Sequence, residues 1–240
     1  MGLALACVCV AAAANVLGGI VVTMRRLDYR LLHAFVALGA GFMLAAVVLQ
    51  MIPESMRLIP TAPLLILVGY LLIHLFEHTV APHFHFGEEV HPEAVSSTTA
   101  VSALLGLSVH SFFDGITIGS GFLIGRQLGL LLFSAIVLHK APEGFAIASV
   151  TLAAGGRRER ALGAAATIGA ASLAGGLAMF WLDWAAGPAL ALSSGVTLYV
   201  AATDLLPEVN REGGTAMALT VFAGVLLYFV TEQLLSVLTS

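Results

Sequence analysis

The sequence predicts an all-α integral membrane protein with eight transmembrane helices, and three observations lead to this fold class. Hydrophobic residues make up 59% of the 240 residues and charged residues 10%, whereas a soluble domain carries about 25% charged residues. The apolar residues form runs of about 20 residues, long enough to cross a hydrocarbon core of about 30 Å as helices. The runs do not alternate as membrane β-strands would, so spanning helices are expected. We therefore expect a single polytopic membrane domain over residues 1–240, surrounded by lipid bilayer and without a nucleic-acid partner.

The first apolar run, residues 1–24, is predicted to be a retained membrane span rather than a cleaved signal peptide. It has no positively charged beginning, it is longer than the core of a signal peptide, and Arg25 and Arg26 follow it directly. The charged segment from Arg25 to Arg30 separates it from a second predicted span at 31–52.

Proline, glycine and charged residues divide the rest of the chain into further spans. The second span ends at the segment from Pro53 to Pro60, and a polar segment at 82–97 precedes the fourth span. Trp181 and Trp184 are typical of a membrane interface. The turn at Gly187-Pro188 follows them, although spans six and seven could merge at this weakest break. The predicted spans after the second are 61–80, 97–124, 128–154, 160–184, 188–206 and 215–237.

The placement of basic residues predicts the orientation of the spans. Eight spans put both termini on the same side of the membrane, and that side holds two arginines, Arg57 and Arg126. The opposite side holds seven, which are Arg25, Arg26, Arg30, Arg157, Arg158, Arg160 and Arg211. Because cytoplasmic loops carry the excess of basic residues, we expect external termini and a cytoplasmic His/Glu loop at 82–97. We place this multi-pass protein in the plasma membrane.

Spans two and seven end in similar phrases, Pro53-Glu54 and Pro207-Glu208. The two spans run in opposite directions, as the halves of an inverted repeat do in secondary transporters. This pattern predicts an inverted repeat of spans 1–3 and 6–8 around a central pair formed by spans 4 and 5. The alternative is that proline simply marks a helix end in both places.

The central pair of spans carries two related phrases. His110-Ser111-Phe112-Phe113-Asp114-Gly115 and His139-Lys140-Ala141-Pro142-Glu143-Gly144 each place a histidine and a carboxylate four residues apart, on one helix face. The short link at 125–127 makes these spans antiparallel neighbours, so both pairs arrive at the same depth. Ionisable side chains are costly inside a membrane and usually mark an ion or substrate path.

Two imidazoles and two carboxylates suit a divalent transition metal such as Zn(II), Fe(II) or Mn(II). His110, Asp114, His139 and Glu143 are therefore the predicted ligands, although a lone membrane histidine more often packs or hydrogen-bonds. Lys140 would repel a metal ion, but its ammonium group can neutralise a spare carboxylate. Our hypothesis is that Lys140 takes the electrostatic place of a second cation, which leaves one metal site.

In these motifs the chain resembles the ZIP (Zrt/Irt-like) family of divalent metal transporters. The likeness also includes the Pro-Glu phrases, the eight spans, the external termini and the histidines after span three. It implies movement of zinc, or of iron, manganese or cadmium, toward the cytosol, usually by a homodimer. It also suggests an elevator-like or rocking motion in which spans 1, 4, 5 and 6 move against the rest.

The resemblance assigns roles to single residues as well. The four predicted ligands match family metal ligands by motif position. Ser111, a further candidate metal ligand, stands where the family often has asparagine, and Lys140 stands where some members have an acid. Both departures weaken a second metal site, which agrees with the charge argument. Met43 matches a methionine of span two that can border the site.

Further polar residues could form a path to and from this centre. Gln50 and Glu54 are placed to meet the ion on the outer side, Asp204 and Glu208 could pass it inward, and Glu232 is a mid-membrane or inner candidate. Histidines at and after the end of span three, with Glu77 beside them, could collect metal in the cytosol, and an ordinary polar loop is a nearly equal alternative. These histidines are His74, His78, His83, His85 and His91.

Two other functions fit part of the pattern. An intramembrane zinc-dependent hydrolase would use similar ligands, but it needs a bound water and a general base, and the sequence lacks the HExxH motif. A proton- or cation-coupled carrier of an organic solute could use histidines and acids as relays. We therefore expect a transporter rather than an enzyme, with no cofactor and with the metal ion as its cargo.

Overall fold

The computed structural model describes residues 1–24, 29–79, 97–212 and 214–239, without the side chains of 29–32, 208, 211–212 and 239. Within these ranges the chain forms helices and contains no strand. Eight spans of the described chain are long and apolar enough to cross a membrane, which confirms the predicted fold class. They are span 1 (Gly2–Met24), span 2 (His33–Leu58), span 3 (Ala62–Thr79), span 4 (Ser97–Ile124), span 5 (Arg126–Ala153), span 6 (Arg158–Trp181), span 7 (Asp183–Leu205) and span 8 (Thr215–Leu238).

Span 2 continues past the proline that was expected to end it. The α-helix Tyr29–Ala46 passes into a π-helical turn, Val47–Met51, and then into a second α-helix, Ile52–Leu58. Pro53 lies in the first turn of that second helix. Proline removes one N–H donor from this continuous helix, and the regular bonding pattern changes just before it, where the π-turn uses i to i+5 bonds. The predicted end of span 2 at residue 52 is therefore wrong.

Span 7 repeats this arrangement. Its α-helix Ala186–Tyr199 passes into a π-helical turn, Val200–Leu205, and a short helix, Leu206–Glu212, follows with Pro207 at its second position. The two Pro-Glu phrases thus occupy the same structural context, one residue into the α-helix that follows a π-turn. An inverted repeat predicts such a correspondence, and the repeat itself stays a prediction.

The break between spans 6 and 7 lies earlier than predicted. Span 6 ends at Trp181, and a 3-10 turn, Asp183–Ala185, leads into the next helix. Gly187 and Pro188 fall within the first turn of that helix. Proline is tolerated there because the N–H groups of the first turn have no acceptor within the helix. The two spans do not merge. Trp181 is 84% exposed and Trp184 is 78% exposed, as expected for side chains at a membrane interface.

A single residue, Gly125, joins spans 4 and 5. Its N–H donates to the carbonyl of Gly121, and its own carbonyl accepts from the N–H of Gly129, both at 2.9 Å. Spans 4 and 5 are therefore antiparallel neighbours, as predicted. Met1 shares a surface pocket with Arg126, so the start of span 1 lies on the same side as this link.

Glycines allow spans 1, 4, 5 and 6 to pack as one close group. A Cβ atom added to Gly144 of span 5 would overlap the carbonyl oxygen of Asn15 in span 1, and one added to Gly115 would overlap the carbonyl oxygen of Ser172. Small residues let helices approach this closely. The same relation joins Gly18 to Ala141, Gly169 to Ala12 and Gly175 to Phe112.

Glycines also allow two further pairs of helices to pack closely. Spans 2 and 8 meet through one pair of glycines, and spans 3 and 7 meet through another. Between spans 2 and 5, in contrast, a Cβ atom at Gly39 would meet the His139 side chain at an ordinary 3.5 Å. The first group therefore contacts span 2 less tightly here than its members contact one another. The paired glycines are Gly41 with Gly224, and Gly69 with Gly195.

Spans 3 and 8 present large apolar side chains on the outside of the bundle. Such exposure is unfavourable in water and favourable in lipid, so these faces are suited to contact hydrocarbon. Representative side chains are Leu64, Leu67, Leu75, Phe222, Leu226, Val230 and Leu238.

Candidate metal centre

The two phrases of spans 4 and 5 bring four potential ligand side chains together near the middle of their helices. His110, Asp114, His139 and Glu143 are each at most 5% exposed, and each offers a ligand atom within 4.8 Å of the others. Nε2 of His110 lies 3.1 Å, and Nε2 of His139 lies 3.3 Å, from the same Asp114 oxygen, Oδ2. The structure thus places the four predicted residues in one cluster.

The hydrogen bonds of the two imidazoles indicate which ring nitrogens face the candidate metal site. Nδ1 of His139 lies 3.1 Å from the carbonyl oxygen of Ala135, one turn earlier in span 5. A carbonyl oxygen can only accept, so this Nδ1 is a donor, and Nε2, which lies 3.3 Å from the Asp114 carboxylate, is the ring nitrogen that faces the candidate metal site. Nδ1 of His110 is buried and has no hydrogen-bond partner within the described residues.

Lys140 joins the two carboxylates across the helix interface. Its side chain is fully buried, and Nζ lies 2.6 Å from Asp114 Oδ2 and 2.5 Å from Glu143 Oε2. Nζ also donates to the Ser111 hydroxyl at 2.8 Å. An ammonium group has three protons, and each has an acceptor here. Lys140 therefore contacts both site carboxylates, and its role as a substitute for a second cation stays a prediction.

Ser111 is a bridge within the same network. Its hydroxyl donates to Glu143 Oε1 at 2.5 Å while it accepts from Lys140. Both oxygens of Glu143 are therefore engaged, one by a hydroxyl and one by an ammonium group. The predicted role of Ser111 as a metal ligand would require it to give up one of these bonds.

A small cavity leads away from the centre. His110, His139 and Glu143 form one end of it, and the acidic residues Glu77 and Asp204 line it from the ends of spans 3 and 7. In the predicted topology those ends are cytoplasmic. Its other walls are mostly apolar and include Val36, Gly106, Leu107, Pro142, Val200 and Leu205.

Met43 lies in an apolar cluster rather than on the wall of this cavity. It is fully buried with Val36 and Ala40 of its own helix and with Tyr199 of span 7. Val109, which precedes His110, packs against the same cluster. Met43 is therefore near the helix that carries the site, and its bordering role stays a prediction.

Three residues of the predicted path are not among the described residues that line the cavity, namely Gln50 and Glu54 on the outer side and Glu232 within span 8. Gln50 is partly buried in the π-turn of span 2. The carboxylate of Glu54 accepts two hydrogen bonds from the exposed guanidinium group of Arg57, which includes one of 2.8 Å from Nε. Glu232 is partly buried in span 8, one turn after Tyr228. Their roles in uptake stay predictions.

On the inner side, Asp204 lines the cavity, and the side chain of Glu208 lies outside the described residues. Their role in passing the ion inward stays a prediction. His74 and His78 stack on successive turns with ring centroids 4.2 Å apart, and Nδ1 of His78 donates to the His74 carbonyl. The other three predicted loop histidines, His83, His85 and His91, also lie outside the described residues.

The sequence interpretation missed Tyr199, which interacts with both acidic residues of the cavity. Tyr199 and Asp204 are five residues apart, and a regular α-helix would turn them away from each other. The π-turn, with its i to i+5 bonding, brings residues five apart onto one face. No signal in the printed sequence marks that turn apart from the repeated Pro-Glu phrase that follows it.

The chain is similar to known proteins along much of its length. The sequence model of the family described as ZIP Zinc transporter matches residues 87–232. "Zinc transporter ZIP9-B" of Xenopus laevis is 30% identical over 161 residues, which are 62% of this chain and 52% of the relative. "Zinc transporter ZIP9" of Xenopus tropicalis is 31% identical over 172 residues, or 71% of this chain and 50% of the relative.

A more distant match is "Zinc transporter SLC39A7" of Homo sapiens, 31% identical over 140 residues, which are 52% of this chain and 30% of the relative. The chain spans about half the length of the first curated relatives it matches. The matched residues include the four clustered side chains between spans 4 and 5.

Proposed function

Because the chain belongs to the ZIP family of zinc transporters, we propose that it carries zinc across the bilayer through the centre at His110, Asp114, His139 and Glu143. One observation carries the proposal: two imidazoles and two carboxylates from adjacent membrane spans meet in a buried cluster. Ionisable groups at such a depth are retained for an ion path. Borderline ligands of this kind also accept iron, manganese and cadmium, which we include as further substrates.

The charge balance favours one ion at this centre. Asp114 and Glu143 carry two negative charges and Lys140 carries one positive charge, so the centre has a formal charge of −1 before a dication binds. Nε2 of His139 is the ring nitrogen that faces the centre, and one oxygen of Asp114 lies close to both imidazoles. Lys140 already occupies the region between the carboxylates, where a second cation would otherwise sit.

The cavity suggests the direction of release. It connects the centre with Glu77 and Asp204, at span ends that the arginine distribution makes cytoplasmic. On the opposite side, Val47, Met51 and Leu132 are fully buried and pack together. We infer an inward-facing arrangement, with uptake toward the cytosol through Gln50 and Glu54 when the outer side opens, and with Glu232 as a further candidate within the membrane.

The close packing of spans 1, 4, 5 and 6 suggests which part moves. A shift that separated Gly144 from Asn15, or Gly115 from Ser172, would open interfaces in which backbones touch. A shift at Gly39 and His139 would disturb only ordinary van der Waals contact. We propose that the group of four spans slides or rocks as a unit and takes the centre with it.

The arginine distribution and the family resemblance also lead to proposals about topology, location and oligomeric state. We propose a single membrane domain over 1–240 in the plasma membrane, with external termini and the 82–97 loop in the cytosol. We also propose a homodimer. The relatives named above are zinc transporters, which supports transport over intramembrane hydrolysis.

Purified protein in liposomes that contain a zinc-sensitive dye tests the proposal. Zinc influx is expected for the wild-type chain, and the ligand variants His139→Ala and Glu143→Gln should lower it by more than about tenfold, because even indirect metal partners cost that much. Asp183→Asn is the matched control, since Asp183 lies in the exposed turn between spans 6 and 7. Equal influx in His139→Ala and wild type would contradict the assigned centre, and turnover of a peptide or lipid without influx would favour a hydrolase.

A further inference from the structure

We propose that Lys140 is the counter-ion that allows the empty centre to cross the membrane, so that the transporter can return for its next ion. The inference rests on the proposed function, since it concerns one step of the same cycle. A carrier that alternates between two sides of the membrane has to make this return without its ion after each release. Beyond limiting the centre to one ion, Lys140 thus takes part in every cycle.

The ammonium group of Lys140 is attached to the same part of the protein as the two carboxylates. Nζ lies 2.6 Å from Asp114 Oδ2 and 2.5 Å from Glu143 Oε2, and it donates to the Ser111 hydroxyl at 2.8 Å. All four residues belong to spans 4 and 5, which are members of the group of spans proposed to move. The ammonium group therefore travels with the carboxylates.

Lys140 is also the one basic residue of the sequence that lies deep within a span. It is the only lysine of the chain, and the arginines lie at the ends of spans or between them in the sequence. The carboxylates of Asp114 and Glu143 are at most 2% exposed. When the ion has left, Lys140 is therefore the one lysine or arginine that the chain supplies to these carboxylates.

The net charge of the centre differs between its empty and loaded states. Asp114 and Glu143 carry two negative charges and Lys140 carries one positive charge. With neutral imidazoles, the empty centre therefore has a formal charge of −1, and the centre with one zinc ion has a formal charge of +1. Without the ammonium group of Lys140, these charges become −2 for the empty centre and zero for the loaded centre.

This difference makes the loss of Lys140 specific to one step. Taking charge out of water is costly, and two like charges at close range repel each other. In the inward-facing arrangement the centre opens into the cavity, and it has to lose that contact when it crosses. Removing the ammonium group should therefore slow the crossing of the empty centre and leave the crossing of the zinc-loaded centre nearly unaffected.

Two transport measurements on the same liposomes separate these steps. Net zinc influx into zinc-free liposomes requires the empty centre to return after each ion. Exchange of labelled external zinc for unlabelled zinc inside preloaded liposomes requires only the crossing of the loaded centre. In Lys140→Met, net influx should fall by at least about tenfold, because two buried carboxylates have lost their cation. Exchange should stay within about threefold of wild type, because the loaded centre is then formally neutral.

Lys140→Gln is a second variant that removes the charge and keeps a polar side chain, and the same selective loss is expected. Arg126→Gln is the matched control, because it removes one positive charge from an exposed position at the start of the same span. The ratio of exchange to net influx in this control should equal the wild-type ratio. A merely structural role of Lys140 would lower exchange and net influx together.

The proposed role of Lys140 is overturned if net influx is unchanged in both lysine variants, or if exchange and net influx fall equally in both. It is also overturned if Arg126→Gln causes the same selective loss of net influx. Failure of the proposed function has a different result, because the wild-type chain itself would then show neither net influx nor exchange of zinc.

Discussion

Replacing Lys140 with methionine should destabilise the metal-free protein and make it more dependent on zinc. The substitution keeps a long unbranched side chain in a fully buried position and removes the ammonium group that contacts Asp114 at 2.6 Å and Glu143 at 2.5 Å. The centre then holds two buried carboxylates without their cation. Removing one partner of a buried ion pair costs about 3–5 kcal/mol.

The size of the effect makes it measurable by thermal unfolding in detergent. For a chain of this length, a loss of that size lowers Tm by roughly 6–20 °C. Zinc at about 100 times its Kd for the wild-type protein stabilises that protein by about 2.7 kcal/mol. The same zinc concentration should stabilise the variant more, because the variant binds zinc more tightly when the ion replaces the missing charge. We expect a larger zinc-induced rise in Tm for Lys140→Met than for wild type, and up to two bound zinc ions per chain.

The double variant Lys140→Met, Glu143→Gln is the control for charge. It restores the formal charge of the centre to −1, so part of the lost Tm should return without zinc. The charge argument is refuted if the single variant has the Tm, the zinc response and the zinc stoichiometry of the wild-type protein. It is equally refuted if the double variant is less stable than the single variant.

Three other substitutions test separate parts of the structure. Ser111→Ala removes one hydrogen bond to a site carboxylate, and zinc binding by calorimetry should weaken by about fivefold, since such a bond contributes about 1 kcal/mol; unchanged affinity would count against a bridging role. Gly144→Ala forces a methyl group against the Asn15 carbonyl and should cost about 1–3 kcal/mol, whereas Gly163→Ala, with open space around it, should be neutral in the same unfolding assay. Tyr228→Phe removes a buried hydroxyl that has no hydrogen-bond partner among the described residues. Because an unsatisfied buried polar group costs about 1–3 kcal/mol, Tm should stay level or rise. A clear fall in Tm would contradict this expectation and indicate that the hydroxyl has a partner.

The membrane spans and the histidine–acid pairs were predictable because they depend on local periodicity. Twenty apolar residues in a row specify a span, and a spacing of four residues puts His110 and Asp114 on one helix face. The one-residue link at Gly125 then brings span 5 alongside at matching depth. These features need no knowledge of distant contacts.

The features that escaped prediction depend on backbone irregularity or on contacts across the fold. Pro53 looked like a helix end because a π-turn is not visible in residue patterns, and the turn lets the helix restart around the proline. The packing of Tyr199 against Tyr70 and His74 joins spans that are far apart in the chain. The contact of Lys140 with Asp114 required the relative rotation of two helices, which spacing alone does not fix.

The link at Gly125 has a consequence for how cargo is handled. Gly125 joins the two ligand-bearing helices at one end, and the ion pair of Lys140 with Asp114 joins them again at the depth of the site, so the two helices can move together without a change in the coordination sphere of the ion. On the proposed function, the ion keeps the same donors whichever compartment it faces. Selectivity is then decided when the ion first binds, and the later steps of transport do not change it.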